Sequence, residues 1–173
     1  MQLFELIETN SFSNIWFWLL VAISWSSASH WILGVPFDLV ARARREGGET
    51  EERVLLLLDI NMQRLSHIRR IAGVVMFGLI SFFLTVFALL GFYYWVEFFQ
   101  AIFLLAFPWV FVGLLTLRAM TKLAKADEYP RGEQLYRFFR RQRLAIQFIG
   151  LVSIFFTSIW GMLTVVSLSS FPA

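Results

Sequence analysis

The 173-residue sequence contains no cysteine, which excludes disulfides, thiolate nucleophiles and cysteine ligands for zinc or iron–sulfur clusters within the chain. It also lacks a glycine-rich phosphate loop and any spacing typical of a metal site or a nucleophile–base pair. Charged residues make up only 16% of the chain, against roughly 25% in soluble domains, whereas hydrophobic residues make up 58%. A chain of this size cannot bury so much apolar surface in water, so we predict a membrane protein. The missing motifs predict that it is not an enzyme, and its composition predicts that it has no nucleic-acid partner.

Long stretches without charge are predicted to cross a membrane as helices. The longest region, 71–117, contains a single charged residue, Glu97. As one helix it would measure about 70 Å, more than twice a hydrocarbon core of about 30 Å. It must therefore turn near Phe92–Gln100, because Tyr and Trp prefer the headgroup level and a carboxylate avoids hydrocarbon. We predict an all-α polytopic protein, one domain over residues 1–173, with four transmembrane helices at about 14–36, 70–93, 98–119 and 144–168.

The basic residues are confined to two segments of the chain. All 15 lysines and arginines lie either between Arg42 and Arg70 or between Arg118 and Arg143. By the positive-inside rule both segments face the cytoplasm. We therefore predict a bacterial inner-membrane protein whose N- and C-termini are both periplasmic.

The segments between spans, 38–69 and 120–143, are predicted to form cytoplasmic helical extensions. Apolar residues from Val54 to Ile68 recur at spacings of three and four, which is typical of an amphipathic helix running into the second span. Thr50 is expected to cap it. Basic residues on the extensions are expected to contact anionic lipid, with an acidic partner protein as the less favoured alternative. These residues are Arg42, Arg44, Arg45, Arg69, Arg70, Arg118, Lys122, Arg140, Arg141 and Arg143.

Small residues recur at helical spacing within each predicted span. In lipid there is little hydrophobic driving force between helices, so small side chains that permit close approach mark the contact faces. Packing within the chain is the favoured interpretation, and packing against a partner protein is the alternative. The residues expected to pack are Ser26, Gly34, Gly78, Ser81, Thr85, Gly91, Gly113, Ser153, Thr157 and Gly161.

His30 is the ionisable residue that falls most clearly within a predicted span. An imidazole there could ligate a haem iron or a chlorophyll magnesium, and Ser26, four residues earlier, would leave room for a flat ring. The second histidine, His67, falls in the amphipathic cytoplasmic segment. The favoured interpretation is therefore that His30 and the nearby serines form hydrogen bonds between helices, and no cofactor is predicted.

Several segments together resemble a known family. They are Trp25-Ser-Ser-Ala-Ser-His-Trp-Ile-Leu-Gly-Val-Pro-Phe-Asp38, Leu90-Gly-Phe-Tyr-Tyr94 and Trp160-Gly-Met162. The chain resembles a family of small α-proteobacterial inner-membrane proteins often labelled "component of SufBCD complex". The resemblance implies a link to iron–sulfur cluster assembly and brings no catalytic residues. Without cysteine, this chain would recruit or anchor such machinery rather than hold a cluster by thiolates.

These patterns favour a non-enzymatic accessory or scaffold subunit of a larger inner-membrane complex, with membrane lipids and a partner protein as its contacts. A cofactor-binding membrane protein that uses His30 is the alternative. A small transporter is the third hypothesis. It is weakened because Asp38 and Glu97 are expected at opposite membrane surfaces rather than inside the bundle.

Overall fold

The computed structural model describes residues 11–126 and 128–169, and the side chains of these residues as far as 166. This part of the chain is mostly helical. Its elements are α1 (Ile15–His30), β1 (Trp31–Ile32), β2 (Val35–Pro36), α2 (Phe37–Glu46), α3 (Gly48–Ala88), α4 (Glu97–Ala124) and α5 (Gly132–Ser169). The predicted periplasmic termini lie outside the described residues, at 1–10 and 170–173.

Three helices are long and apolar enough to cross a membrane. They are Gly48–Tyr93, which is α3 with a π-helical continuation, Glu97–Ala124, which is α4, and the part of α5 that runs from Gly132 to Val166. The helical fold is thus confirmed together with three candidate spans.

The helix predicted over 14–36 is shorter than expected. Asn14 caps α1 by accepting a hydrogen bond from the Trp16 backbone N–H (3.0 Å), and α1 ends at His30. The prediction of helix over the last six residues is wrong, because a β-hairpin follows in which Trp31 pairs with Pro36. Its turn has positive φ at Leu33 (54°) and Gly34 (77°), the backbone conformation that two-residue hairpins require. With 16 residues, α1 measures about 24 Å, less than a bilayer core.

Helix α3 joins the amphipathic segment and the second predicted span without a break. Gly47 (φ 64°) and Gly48 (φ 47°) make the turn from α2, and α3 then continues for 41 residues. The expected Thr50 cap is wrong, because the helix begins two residues earlier. The Thr50 hydroxyl instead donates to Glu46 Oε2 (2.9 Å).

The turn between α3 and α4 lies where the aromatic cluster predicted it. After the π-helical segment Leu89–Tyr93, the chain reverses through Tyr94 and Trp95, and α4 begins at Glu97. The side chains of Tyr94 and Trp95 are mostly exposed. Trp95 adopts a positive φ of 57°, which is uncommon for an aromatic residue and marks the sharp reversal.

Buried side chains concentrate at the basic end of the bundle. We call this region the collar and define it as residues 37–66, 116–126 and 128–146. Its fully buried apolar residues include Leu58 of α3 and Phe139 of α5, each 0% exposed. By contrast, the large apolar side chains of α3 between Ile71 and Phe83 are exposed. Among the described residues, apolar side chains are therefore buried together in the collar and exposed along the apolar half of α3.

Candidate functional site: a basic helical collar

Helix α2 is held on α5 by two arginines. The Arg44 guanidinium lies 4.2 Å from the Tyr136 ring centroid, and its Nε donates to Glu133 Oε2 (2.9 Å). The Arg143 guanidinium lies 4.3 Å from the ring centroid of Phe37. Both arrangements are cation–π contacts, in which the ring face attracts the cation. These two arginines, which we expected to contact lipid or a partner, therefore make contacts within the chain.

Helix α3 is tied to the turn between α4 and α5. Glu51 Oε1 accepts a hydrogen bond from the Gly132 backbone N–H (2.7 Å), which places a carboxylate at the positive end of the α5 dipole. The Tyr129 hydroxyl donates to Asp59 Oδ1 (3.0 Å). Burial raises the pKa of Tyr129 above its usual value of 10, and the hydrogen bond to the Asp59 carboxylate and its charge add to the rise.

The other predicted basic residues lie open on the collar and at its edge. All eight are exposed, and none forms a salt bridge with an acidic side chain in the described part of the chain. They are Arg42, Arg45, Arg69, Arg70, Arg118, Lys122, Arg140 and Arg141. The collar thus presents cations that its own described carboxylates do not neutralise by direct contact.

His30 lies at the C-terminal end of α1, beside α2. Its side chain is 43% exposed, and its Nδ1 is 3.8 Å from Asp38 Oδ2, which is itself 82% exposed. The prediction that the serines near His30 form hydrogen bonds between helices is wrong for Ser29. Its hydroxyl bonds the Trp25 and Ser26 carbonyl oxygens (both 3.0 Å) of its own helix. No group of three potential metal ligands occurs among the described His, Asp and Glu residues.

Half of the predicted packing residues make close contacts within the chain. A Cβ on Gly34 would lie 2.6 Å from Asn61, one on Gly91 would lie 2.8 Å from the Gln100 backbone N, and one on Gly161 would lie 3.1 Å from Phe12. Ser153 and Thr157 of α5 are buried. A Cβ on Gly150, also in α5, would lie 2.8 Å from the Trp25 ring. Small residues in α5 thus accept aromatic side chains from the N-terminal region.

The other half make no such contacts with the residues that the structure describes, so the described part of the chain does not show them packing within the chain. A Cβ on Gly78 or Gly113 would have no atom of the described residues within 4 Å. Ser26, Ser81 and Thr85 are exposed, and the Thr85 hydroxyl bonds the Ser81 carbonyl oxygen of its own helix (2.8 Å). For Gly78 and Ser81 the reason is that the middle of α3 stands apart from the other described helices, which no local spacing reveals.

A buried polar cluster at the opposite end of the bundle was not predicted from the sequence. Gln100 is 1% exposed, donates through Nε2 to the Gly91 carbonyl oxygen (2.8 Å) and accepts from Trp160 Nε1 (3.0 Å). Glu97, expected at the membrane surface, is 8% exposed and accepts from the Phe12 backbone N–H (2.7 Å). The available signal in the sequence was that Glu97 and Gln100 interrupt the long apolar stretch 71–117. The cluster ties the N-terminal segment, α4 and α5 together.

The fold and these surfaces define a helical protein with three candidate membrane-spanning helices and a folded basic collar. No family model matches the chain, and no curated protein and no solved structure is significantly similar to it.

Proposed function

We propose that the protein is a non-enzymatic accessory or scaffold subunit of a larger complex in the bacterial inner membrane. The observation that supports this proposal most is the unpacked middle of α3. A Cβ on Gly78 of α3 would have no described atom within 4 Å, whereas Gly150 and Gly161 of α5 lie against the aromatic side chains of Trp25 and Phe12. The occupant we propose for α3 is a transmembrane helix of a partner protein.

The face of α3 suited to that contact contains Gly78, Ser81 and Thr85. These residues follow one another at spacings of three and four, so they share one side of the helix. Small residues permit close backbone approach in lipid, where packing rather than the hydrophobic effect drives association. On α5, Gly150 lies against Trp25 and Gly161 lies against Phe12. A large side chain of the partner would occupy the space beside Gly78 in the same way.

Cross-linking in native membranes tests the partner. Because the chain has no cysteine, Ser81→Cys introduces a single site for a thiol-attached photo-cross-linker. We expect one adduct of defined mass that a bulky Gly78→Leu change abolishes. Ser158→Cys, on an exposed position of α5, is the matched control and should give no such adduct. An adduct of twice the chain's own mass, or no protein adduct, would contradict the proposal.

The proposed topology places the collar in the cytoplasm and both termini in the periplasm, because every lysine and arginine lies on the collar or at its edges. Thiol labelling with a membrane-impermeant reagent tests this orientation. Tyr94→Cys, in the exposed aromatic turn, should label in cells whose outer membrane alone is opened. Arg45→Cys should label only after the inner membrane is opened as well. The reverse pattern would invert the topology.

A further inference from the structure

A cavity opens in the collar between the C-terminal turns of α4 and the first turns of α5. Its volume is about 640 Å³. Three cationic side chains line it, Lys122 from α4 and Arg137 and Arg141 from α5, together with one carboxylate, Glu128. Arg137 and Arg141 are four residues apart, which places them on one face of α5. Among the lining residues, positive charge therefore exceeds negative charge by two.

The cations of this cavity are available for a ligand. Lys122 and Arg141 form no salt bridge with any described acidic side chain. Arg137 donates through Nε to Glu133 Oε1 (3.3 Å), and its guanidinium carries further N–H donors. Two guanidinium groups and an ammonium are the donor set that phosphate oxygens prefer, because charge-assisted hydrogen bonds to them are short and strong.

The same cavity also has an apolar wall, to which Leu115, Leu123, Phe138 and Ala145 contribute. Leu115 belongs to the last uncharged turn of α4, just before Arg118, and Ala145 follows Arg143, the last cation of the chain. The cavity thus spans the boundary between the basic and apolar parts of both helices. A ligand that fills it needs an anionic head and an apolar portion, and a free anion would use only half of the lining.

We propose that this cavity binds an anionic phospholipid, with the headgroup phosphate on Lys122, Arg137 and Arg141 and the acyl-chain side against Leu115 and Ala145. Basic pockets between helices at the cytoplasmic surface are suited to such headgroups. The site rests on the proposed topology, which puts this surface at the cytoplasmic leaflet. It is separate from α3 and does not require a partner protein.

Native mass spectrometry of the full-length protein in a mild detergent tests the proposal. The probes are phosphatidylglycerol, phosphatidylcholine with the same acyl chains, and inorganic phosphate. We expect one tightly held phosphatidylglycerol per chain, weaker phosphatidylcholine binding, and no displacement of the lipid by millimolar phosphate. Lys122→Gln with Arg141→Gln should weaken phosphatidylglycerol binding about tenfold or more.

The matched control removes the same charge from the same helices outside the cavity. Arg118→Gln with Arg140→Gln should change phosphatidylglycerol binding less than twofold. Ala126→Trp keeps every charge but obstructs the cavity, so it should also weaken binding. Equal losses in the two glutamine variants, equal binding of both lipids, or displacement by phosphate would overturn the proposal. Because these readouts need no partner, they fail or succeed independently of the α3 cross-link.

Discussion

The two halves of helix α3 differ in how they are packed. In the collar half, Val54, Leu58 and Met62 are at most 7% exposed. In the apolar half, a candidate membrane span, every large apolar side chain from Ile71 to Phe83 is exposed. Water drives apolar side chains into a core, whereas the hydrocarbon of a bilayer would solvate them as well as a neighbouring helix does. A continuous helix can therefore be buried at one end and unpartnered at the other.

Helices α1, α4 and α5 are held together by shape complementarity and hydrogen bonds in their apolar parts. Trp25 of α1 fits against Gly150 of α5 and stacks on Trp109 of α4, with ring centroids 5.9 Å apart. Gln100 of α4 bonds Trp160 of α5. Shape and hydrogen bonds hold these helices together, and the middle of α3 offers neither to the rest of the described chain.

The largest effect should come from emptying the collar core. Phe139→Ala removes a ring that is 0% exposed, and a cavity of that size costs about 3–5 kcal/mol of unfolding free energy. Phe148→Ala, on the same helix at a position 67% exposed, should cost less than about 0.5 kcal/mol. Thermal unfolding of both variants in one detergent checks the pair. Equal losses would mean that the collar has no core of its own.

The next effect compares two helical glycines. Gly150→Ala puts a Cβ 2.8 Å from the buried Trp25 ring, and overpacking of this kind costs roughly 1–3 kcal/mol. Gly78→Ala meets no described atom within 4 Å, so the free energy of unfolding should stay level or rise by up to about 1 kcal/mol through helix propensity. Unfolding midpoints in detergent provide the measurement. A destabilised Gly78→Ala monomer would show that α3 already packs against another part of the chain.

A smaller effect should follow from breaking the polar cluster. Trp160→Phe keeps the ring packing with Phe92 but removes the donor to Gln100 Oε1, and an unpaired buried acceptor costs about 1–2 kcal/mol. Trp16→Phe, at a position 72% exposed, is the control and should be neutral. Protease resistance and unfolding midpoint of the two variants should separate. If they coincide, hydrogen bonding contributes nothing to this contact between helices.

The smallest effect is a dependence of collar stability on alkaline pH. Because the pKa of Tyr129 is raised in the folded protein, its stabilising contribution is complete below pH 10 and is lost as the pH rises through that higher folded value. Tyr129→Phe should cost about 0.5–1.5 kcal/mol at pH 7 and should flatten the decline above pH 10. Denaturant unfolding between pH 8 and 11 measures both. An unchanged alkaline slope in the variant would assign the decline to other groups.

Much of the fold was predictable because it depends on neighbours along the chain. Apolar run length predicted the second and third spans, the aromatic cluster predicted their turn, and spacings of three and four predicted the amphipathic start of α3. The hairpin after His30 was missed, although Gly34 and Pro36 are residues that interrupt helices. The high hydropathy of this segment favoured a continuous helix over a turn.

The sites were less predictable because their contacts join distant residues. Arg44 and Glu133 are 89 positions apart, and Glu97 and Phe12 are 85 apart. Nothing in the local pattern distinguishes Arg44, which contacts Tyr136 and Glu133, from Arg45, which forms no salt bridge with a described acidic side chain. Likewise, Gly150 and Gly78 each begin a row of small residues spaced three and four apart, and nothing in the local pattern shows that only Gly150 lies against an aromatic ring.

The sequence by itself determined that the chain is helical, rich enough in apolar residues for a membrane, and divided into basic and apolar parts, because these properties follow from composition and periodicity. Only the tertiary structure decided which glycines receive an aromatic ring, which arginines are engaged, and where a cavity lined by three cations opens. Those outcomes depend on how helices far apart in sequence approach one another, and lipid, unlike water, does not enforce one approach by hydrophobicity alone.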